Sequence, residues 1–162
     1  MRVVARMRKQ YPGLELKFAG VGPLEEKLRK LAEELGISAH VSFLGFIRDM
    51  PPVYAETDLV VQSSFTEGLP NVILEAAYLR VPVVATDVGG TGEVIEHGRS
   101  GWLVAPRSES ALEAGIGAFL KDPTGFSAMA DRASRRIVES FSFQARTEKL
   151  MRLYESLLKV RL

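Results

Sequence analysis

The chain has 162 residues, 46% of them hydrophobic and 25% charged, with a formal net charge of +1. These values suit one domain over 1–162 that buries roughly 70% of its unfolded surface, and they give no global pull towards nucleic acid or a membrane. The absence of cysteine excludes a disulfide framework and a thiolate metal site, as expected of a cytoplasmic chain, and no apolar run reaches the ~18 residues of a membrane span.

Residues 1–10 read as a helix, with too short an apolar stretch for a signal peptide. A strand is predicted at 14–19, followed by the turn Gly20-Val21-Gly22-Pro23. Over 23–35 the apolar residues Leu24, Leu28, Leu31, Ala32 and Leu35 keep the helical period, and Gly36 supplies a C-terminal cap. A strand at 40–44 and a short helix at 52–57 lead to a strand at 59–62. Its Leu59-Val60-Val61 run is continuously apolar, as is Val81-Pro82-Val83-Val84-Ala85 around the next strand, 82–86. Such runs belong to strands covered on both faces, and Pro82 suits the first position, where no ladder N–H is needed. Between these two strands lies a helix at 70–79; a short helix at 92–96 and a strand at 102–104 follow. Past Pro106 only helices are predicted, over 110–121, 125–140 and 142–161, the last carrying Leu150, Leu153, Tyr154, Leu157 and Leu158 on one stripe. Strands alternating with helices predict class α/β, a Rossmann-like doubly wound parallel sheet with extra C-terminal helices.

The segment from Ser63 to Ala77 carries the most chemistry. Glu67 stands in a Gly-Pro turn, and Glu75 is the only other charge before Arg80. Flanked by Val72, Ile73, Leu74, Ala76 and Ala77, Glu75 must reach solvent or find a partner, because an unpaired buried carboxylate is very costly. Pro70 is read as the first helical residue, where its missing N–H costs nothing. The free amides of that first turn and the helix dipole favour an anion, most often phosphate, and Gly68 lets main chain approach it closely. An amide-lined diphosphate seat between two hydroxyl-accepting carboxylates describes a nucleotide-sugar site.

On these residues the segment resembles the E-x7-E signature of the retaining nucleotide-sugar glycosyltransferases of the GT-B fold, in their C-terminal, donor-binding domain. The resemblance extends to Phe18-Ala19-Gly20-Val21-Gly22-Pro23 and Val41-Ser42-Phe43-Leu44-Gly45-Phe46 upstream. Downstream it takes in Val83-Val84-Ala85-Thr86-Asp87-Val88-Gly89-Gly90, Glu93-Val94-Ile95, and Gly98 and Gly101 before Trp102-Leu103-Val104. It departs at Gly92, where the family commonly has Pro, and at His97, where it has an acid. What the resemblance implies is transfer of a hexosyl group from a UDP-, GDP- or ADP-linked sugar, without a metal or other cofactor. Glu67 would be the catalytic group, meeting hydroxyls of the transferred sugar. Gly68, Leu69, Asn71 and Val72 would bind the diphosphate, Glu75 the ribose, and the main chain at Ile47 the nucleobase, while Ser64 and Gly22 would line the donor cleft.

The family's domain opens with a central strand and a loop whose Arg and Lys grip the diphosphate. Here 1–10 reads as the helix that follows that loop, so the first strand and both cations are expected upstream of Met1. The acceptor domain is expected there too, and the isolated chain is expected not to catalyse transfer. Two alternatives share the scaffold: an idle binding module and a nucleotide-sugar epimerase. Gly20-Val21-Gly22 is not a dinucleotide fingerprint, since Glu25 stands where the third glycine belongs. Gly89-Gly90-Thr91-Gly92 reads as a structural turn that could also cradle an anion. His40 and His97 fit no metal-ligand pattern, and the groups Arg6, Arg8, Lys9 and Arg132, Arg135, Arg136 read as solvated faces, so membrane docking is not indicated.

Overall fold

The computed structural model describes residues 1–159, so the last two residues of the helix expected over 142–161 lie outside it. Helices α1 (Arg2–Met7), α2 (Glu25–Glu34), α3 (Pro51–Ala55), α4 (Asn71–Tyr78) and α5 (Thr91–Val94) interleave with strands β1 (Leu16–Ala19), β2 (Val41–Gly45), β3 (Val60–Gln62), β4 (Val83–Thr86) and β5 (Trp102–Val104). Helices α6 (Glu109–Lys121), α7 (Pro123–Ser140) and α8 (Phe143–Lys159) follow. All the predicted elements are present, with ends displaced by a few residues. The starts of α6 and α7 move upstream because caps were overlooked. Ser108 accepts the N–H of Ala111 at 3.1 Å, and Asp122 accepts that of Gly125 at 2.9 Å, with Pro123 in the first turn.

The strands are parallel but fall into two sheets: β1 pairs with β2, and β3-β4-β5 form the other. Strand order 3-2-1-4-5-6 describes one doubly wound class. Here the described strands form the runs β1-β2 and β3-β4-β5, and no ladder joins the two sheets among the described residues. The one doubly wound sheet predicted from the sequence is thus present as two separate parallel sheets.

Strand β4 anchors the core and is buried at every position. Val83 and Ala85 join Ile73, Ala76, Ala77, Val94, Ile95, Ala133 and Ile137 on the side of α4, α5 and α7. Val84 meets Val104, Phe119 and Phe126 on the side of α6 and α7. The matching expectation for β3 is corrected. Val61 is 39% exposed, because β3 is an edge strand beside the break in the sheet. Helix α1 packs Val3 and Met7 on Ile116 of α6, and Arg6 bonds Glu109 and Glu113 across the same seam. That ion cluster is exposed, so the apolar contact carries the docking. The stripe on α8 faces solvent.

This division sets an order of opening. In native-state hydrogen exchange, the amides of Val84 and Ala85 should exchange only through global unfolding, while those of β1 and β2 open locally and faster. Equal protection of both sheets would contradict the split.

Candidate functional site

Within each sheet, strands that run parallel bring their C-terminal ends to one edge, where ligands of α/β sheets bind. Gly22 follows β1, Ile47 follows β2, and Ser64, Glu67, Gly68 and Leu69 follow β3, with Asn71, Val72 and Glu75 on α4. The β3–α4 loop residues form a bonded constellation. Gly22 and Ile47 stand at the corresponding ends of the smaller sheet and share no hydrogen bond with it among the described residues.

Glu67 is half-buried. Its Oε1 accepts from Ser64 Oγ at 2.7 Å and from Gln62 Nε2 at 3.1 Å, while no group among the described residues donates to Oε2. Gln62 is 9% exposed, at the end of β3, so its amide is fixed by burial and orients the carboxylate. Thr86 at the end of β4 donates its hydroxyl to the carbonyl of Ser64 at 2.7 Å and so ties the loop to the core strand.

Below Glu67 lies a contact that the sequence did not disclose. The N–H of Gly90 donates to the carbonyl oxygen of Gly68 at 2.7 Å. Gly89 has φ +52°, and a Cβ there would overlap the carbonyl of Glu67, with the carbonyl carbon only 2.8 Å away. A Cβ on Gly90 would lie 2.6 Å from the Gly68 oxygen. The Gly89-Gly90 turn is thus the seat of the Glu67 loop, and no larger residue fits. Two adjacent glycines at a strand end were the only signal in the sequence.

The start of α4 needs one correction. Pro70 is the N-cap, extended at ψ 111°, and Asn71 is the first helical residue. The proline carbonyl accepts from Ile73 and Leu74 at 3.1 and 3.2 Å, as an N-cap carbonyl does. Among the described residues the amides of Gly68, Leu69, Asn71 and Val72 have no acceptor. They are a row of free donors at a positive helix end.

Glu75 has both of the outlets its apolar flanks demand. It is exposed, and its Oε2 accepts from the hydroxyl of Tyr54 at 3.0 Å. Tyr54 is 5% exposed on α3, and its hydroxyl also lies 3.4 Å from the carbonyl of Val72. Burial first, then the Glu75 carboxylate, pushes that hydroxyl above the ordinary tyrosine range. Nothing in the sequence singled out Tyr54, because the pairing joins α3 to α4 across 21 positions.

Two further features gather here. Val21, Phe46, Phe65, Leu69 and Val72 are large exposed apolar side chains at these strand ends, a composition that marks contact surfaces. Arg107, just after β5, has φ 59° and stacks 5.4 Å above the Phe65 ring, which brings a cation to the loop. The described residues hold no cluster of three or more metal-ligating side chains.

The sequence pattern of the family described as glycosyl transferases group 1 matches residues 1–137. The D-inositol 3-phosphate glycosyltransferase of Corynebacterium jeikeium is 36% identical over 97% of this chain and 39% of its own length. A GDP-mannose-dependent alpha-(1-6)-phosphatidylinositol monomannoside mannosyltransferase of Mycolicibacterium smegmatis is 30% identical over 94% of this chain and 42% of its own. The solved structure of Anabaena HepE in complex with UDP-glucose superposes with a TM-score of 0.81 at 28% identity, covering 96% of this chain and 45% of that one. This chain therefore spans less than half the length of each.

Two substitutions test the geometry. Gly89→Ala should cost more than the about 1–3 kcal/mol of a positive-φ residue in denaturant unfolding, since its Cβ also overlaps the Glu67 carbonyl, and should shift the amide resonances of residues 67–69; unchanged resonances would refute the seat. Tyr54→Phe should destabilise the protein near neutrality, with the deficit narrowing above pH ~10. The sign follows from the raised folded-state pKa: the hydroxyl's contribution is complete below the unfolded value and is lost as pH rises towards the folded one. A deficit independent of pH would contradict the assignment.

Proposed function

This chain belongs to the glycosyl transferases group 1, and we propose that it is the donor-binding part of an enzyme that transfers a hexosyl group with retention. The observation that carries the reading is the row of unpartnered amides at Gly68, Leu69, Asn71 and Val72, bracketed by the carboxylates of Glu67 and Glu75. The amides would hold the diphosphate and take up the charge that develops as it leaves. Glu67, steadied through one oxygen by Gln62 and Ser64, keeps the other for hydroxyls of the sugar. Glu75, braced by Tyr54, would accept from the ribose. Ile47 at the end of β2 is proposed for the base, with Ser64 and Gly22 lining the cleft. The UDP-glucose complex of HepE supports a nucleotide-sugar donor, and the name of the mannosyltransferase keeps guanine in view as the base. We assign acceptor recognition to a domain outside this sequence, and transfer by this chain alone is not expected.

Calorimetry with UDP-, GDP- and ADP-sugars tests the reading. One donor should bind, and Glu75→Ala should weaken it roughly ten- to hundredfold, the worth of one charge-assisted hydrogen bond at ~1.5–3 kcal/mol. Silence across the panel from folded protein would favour a binding module of another kind. Release of free nucleotide without an acceptor would favour the epimerase.

A further inference from the structure

A second polar cleft, of about 290 Å³, lies between α7 and the loop from Glu96 to Ser100 that leads into β5. That loop meets the N-terminal end of its strand, so the cleft sits towards the sheet edge opposite the Glu67 loop. Four arginines line it, Arg99, Arg132, Arg135 and Arg136, against only two acids, Glu96 and Glu139.

The internal bonding fixes these groups without using them up. Glu96 accepts from Arg136 at 2.7 Å and from Arg99 at 2.9 Å. Arg136 also donates to the carbonyl of Glu93 at 2.9 Å, and Arg132 donates through Nε to the carbonyl of Arg99. Among the described residues the side chain of Arg135 has no hydrogen bond or ion pair, and Nε of Arg136 is buried without an acceptor. Ser100 accepts the N–H of Glu96 at 2.8 Å, which leaves its hydroxyl proton to donate. Two positive charges stand in excess, on Arg132, which the carbonyl of Arg99 orients, and on Arg135, whose side chain is left without a partner among the described residues. A buried donor without a partner is costly, and a planar guanidinium fork matches the oxygens of a phosphate group.

We infer that this cleft is an anion site that takes a phosphate group, as free phosphate or as a phosphomonoester headgroup, independent of the donor site. Inorganic phosphate should bind the folded chain in calorimetry and broaden its own phosphorus NMR line, with affinity falling as salt is raised. Arg132→Gln combined with Arg135→Gln should weaken it at least about tenfold, and Glu139→Gln should tighten it. Saturating UDP should leave the phosphate isotherm in place. Vesicles of phosphatidylcholine with a phosphatidylinositol monophosphate identify the source: retention that the double variant loses points to a headgroup, and phosphate binding without retention points to the free ion. Equal phosphate affinity in wild type and double variant, no binding by folded protein, or displacement by UDP would each overturn the site.

Discussion

At the end of β4 the main chain packs directly on main chain: the Gly89-Gly90 turn lies against the carbonyls of Glu67 and Gly68, with one N–H···O bond of 2.7 Å between them. Side chains adapt to their surroundings, but two backbones at this separation leave the loop little freedom. The position of Glu67 is therefore inherited from β4, the most buried strand. Thr86 adds a second tie to the same strand, and Gln62 sets the carboxylate's rotation from β3. Once the loop is seated, the amides of Gly68, Leu69, Asn71 and Val72 have neither a strand nor a preceding helical turn to bond to, and they remain available to a ligand.

The same dependence explains how a split sheet can carry a site. The Glu67 constellation draws on β3, β4, α3, α4 and the turn before α5, all on the larger sheet or packed against it. The smaller sheet carries the loops of Gly22 and Ile47, which bond to no part of that constellation among the described residues. Helix α1 links the two sheets, since Leu14 before β1 and Leu59 before β3 both pack on the cluster that Val3 and Met7 form with Ile116. The groups proposed for the diphosphate and ribose thus rest on the larger sheet, and the one proposed for the base rests on the smaller.

Much of this fold was legible because it is written in local pattern. Continuous β-branched runs and helical periodicity placed the elements, and an acid isolated among apolar residues marked Glu75. What escaped was tertiary. Tyr54 looks like any aromatic in a short amphipathic turn until α3 is laid beside α4. Arg107 looks like a surface cation until Phe65 comes beneath it. Gly89-Gly90 is indistinguishable from an ordinary turn without the carbonyls it touches. Val61 misled for the opposite reason: an apolar run reports the tendency to be covered, and the cover depends on a neighbouring strand that β3 lacks. At Pro70 the residue type was read correctly and the position was off by one, because proline serves an extended N-cap as well as the first helical residue.

Helices α4 and α7 tie the two sheet edges together. Ala76, Ala77, Ala133 and Ile137 share one buried cluster, and Ser134 donates to the carbonyl of Tyr78 at 3.1 Å. The N-terminus of α4 presents the free amides, while α7 carries three of the arginines of the opposite cleft. Shared packing does not by itself couple two sites. Coupling needs an element with two arrangements that each ligand favours differently, and small side chains in full contact describe one arrangement. A ligand at either edge therefore meets a surface already formed, and the scaffold between them acts as a rigid spacer.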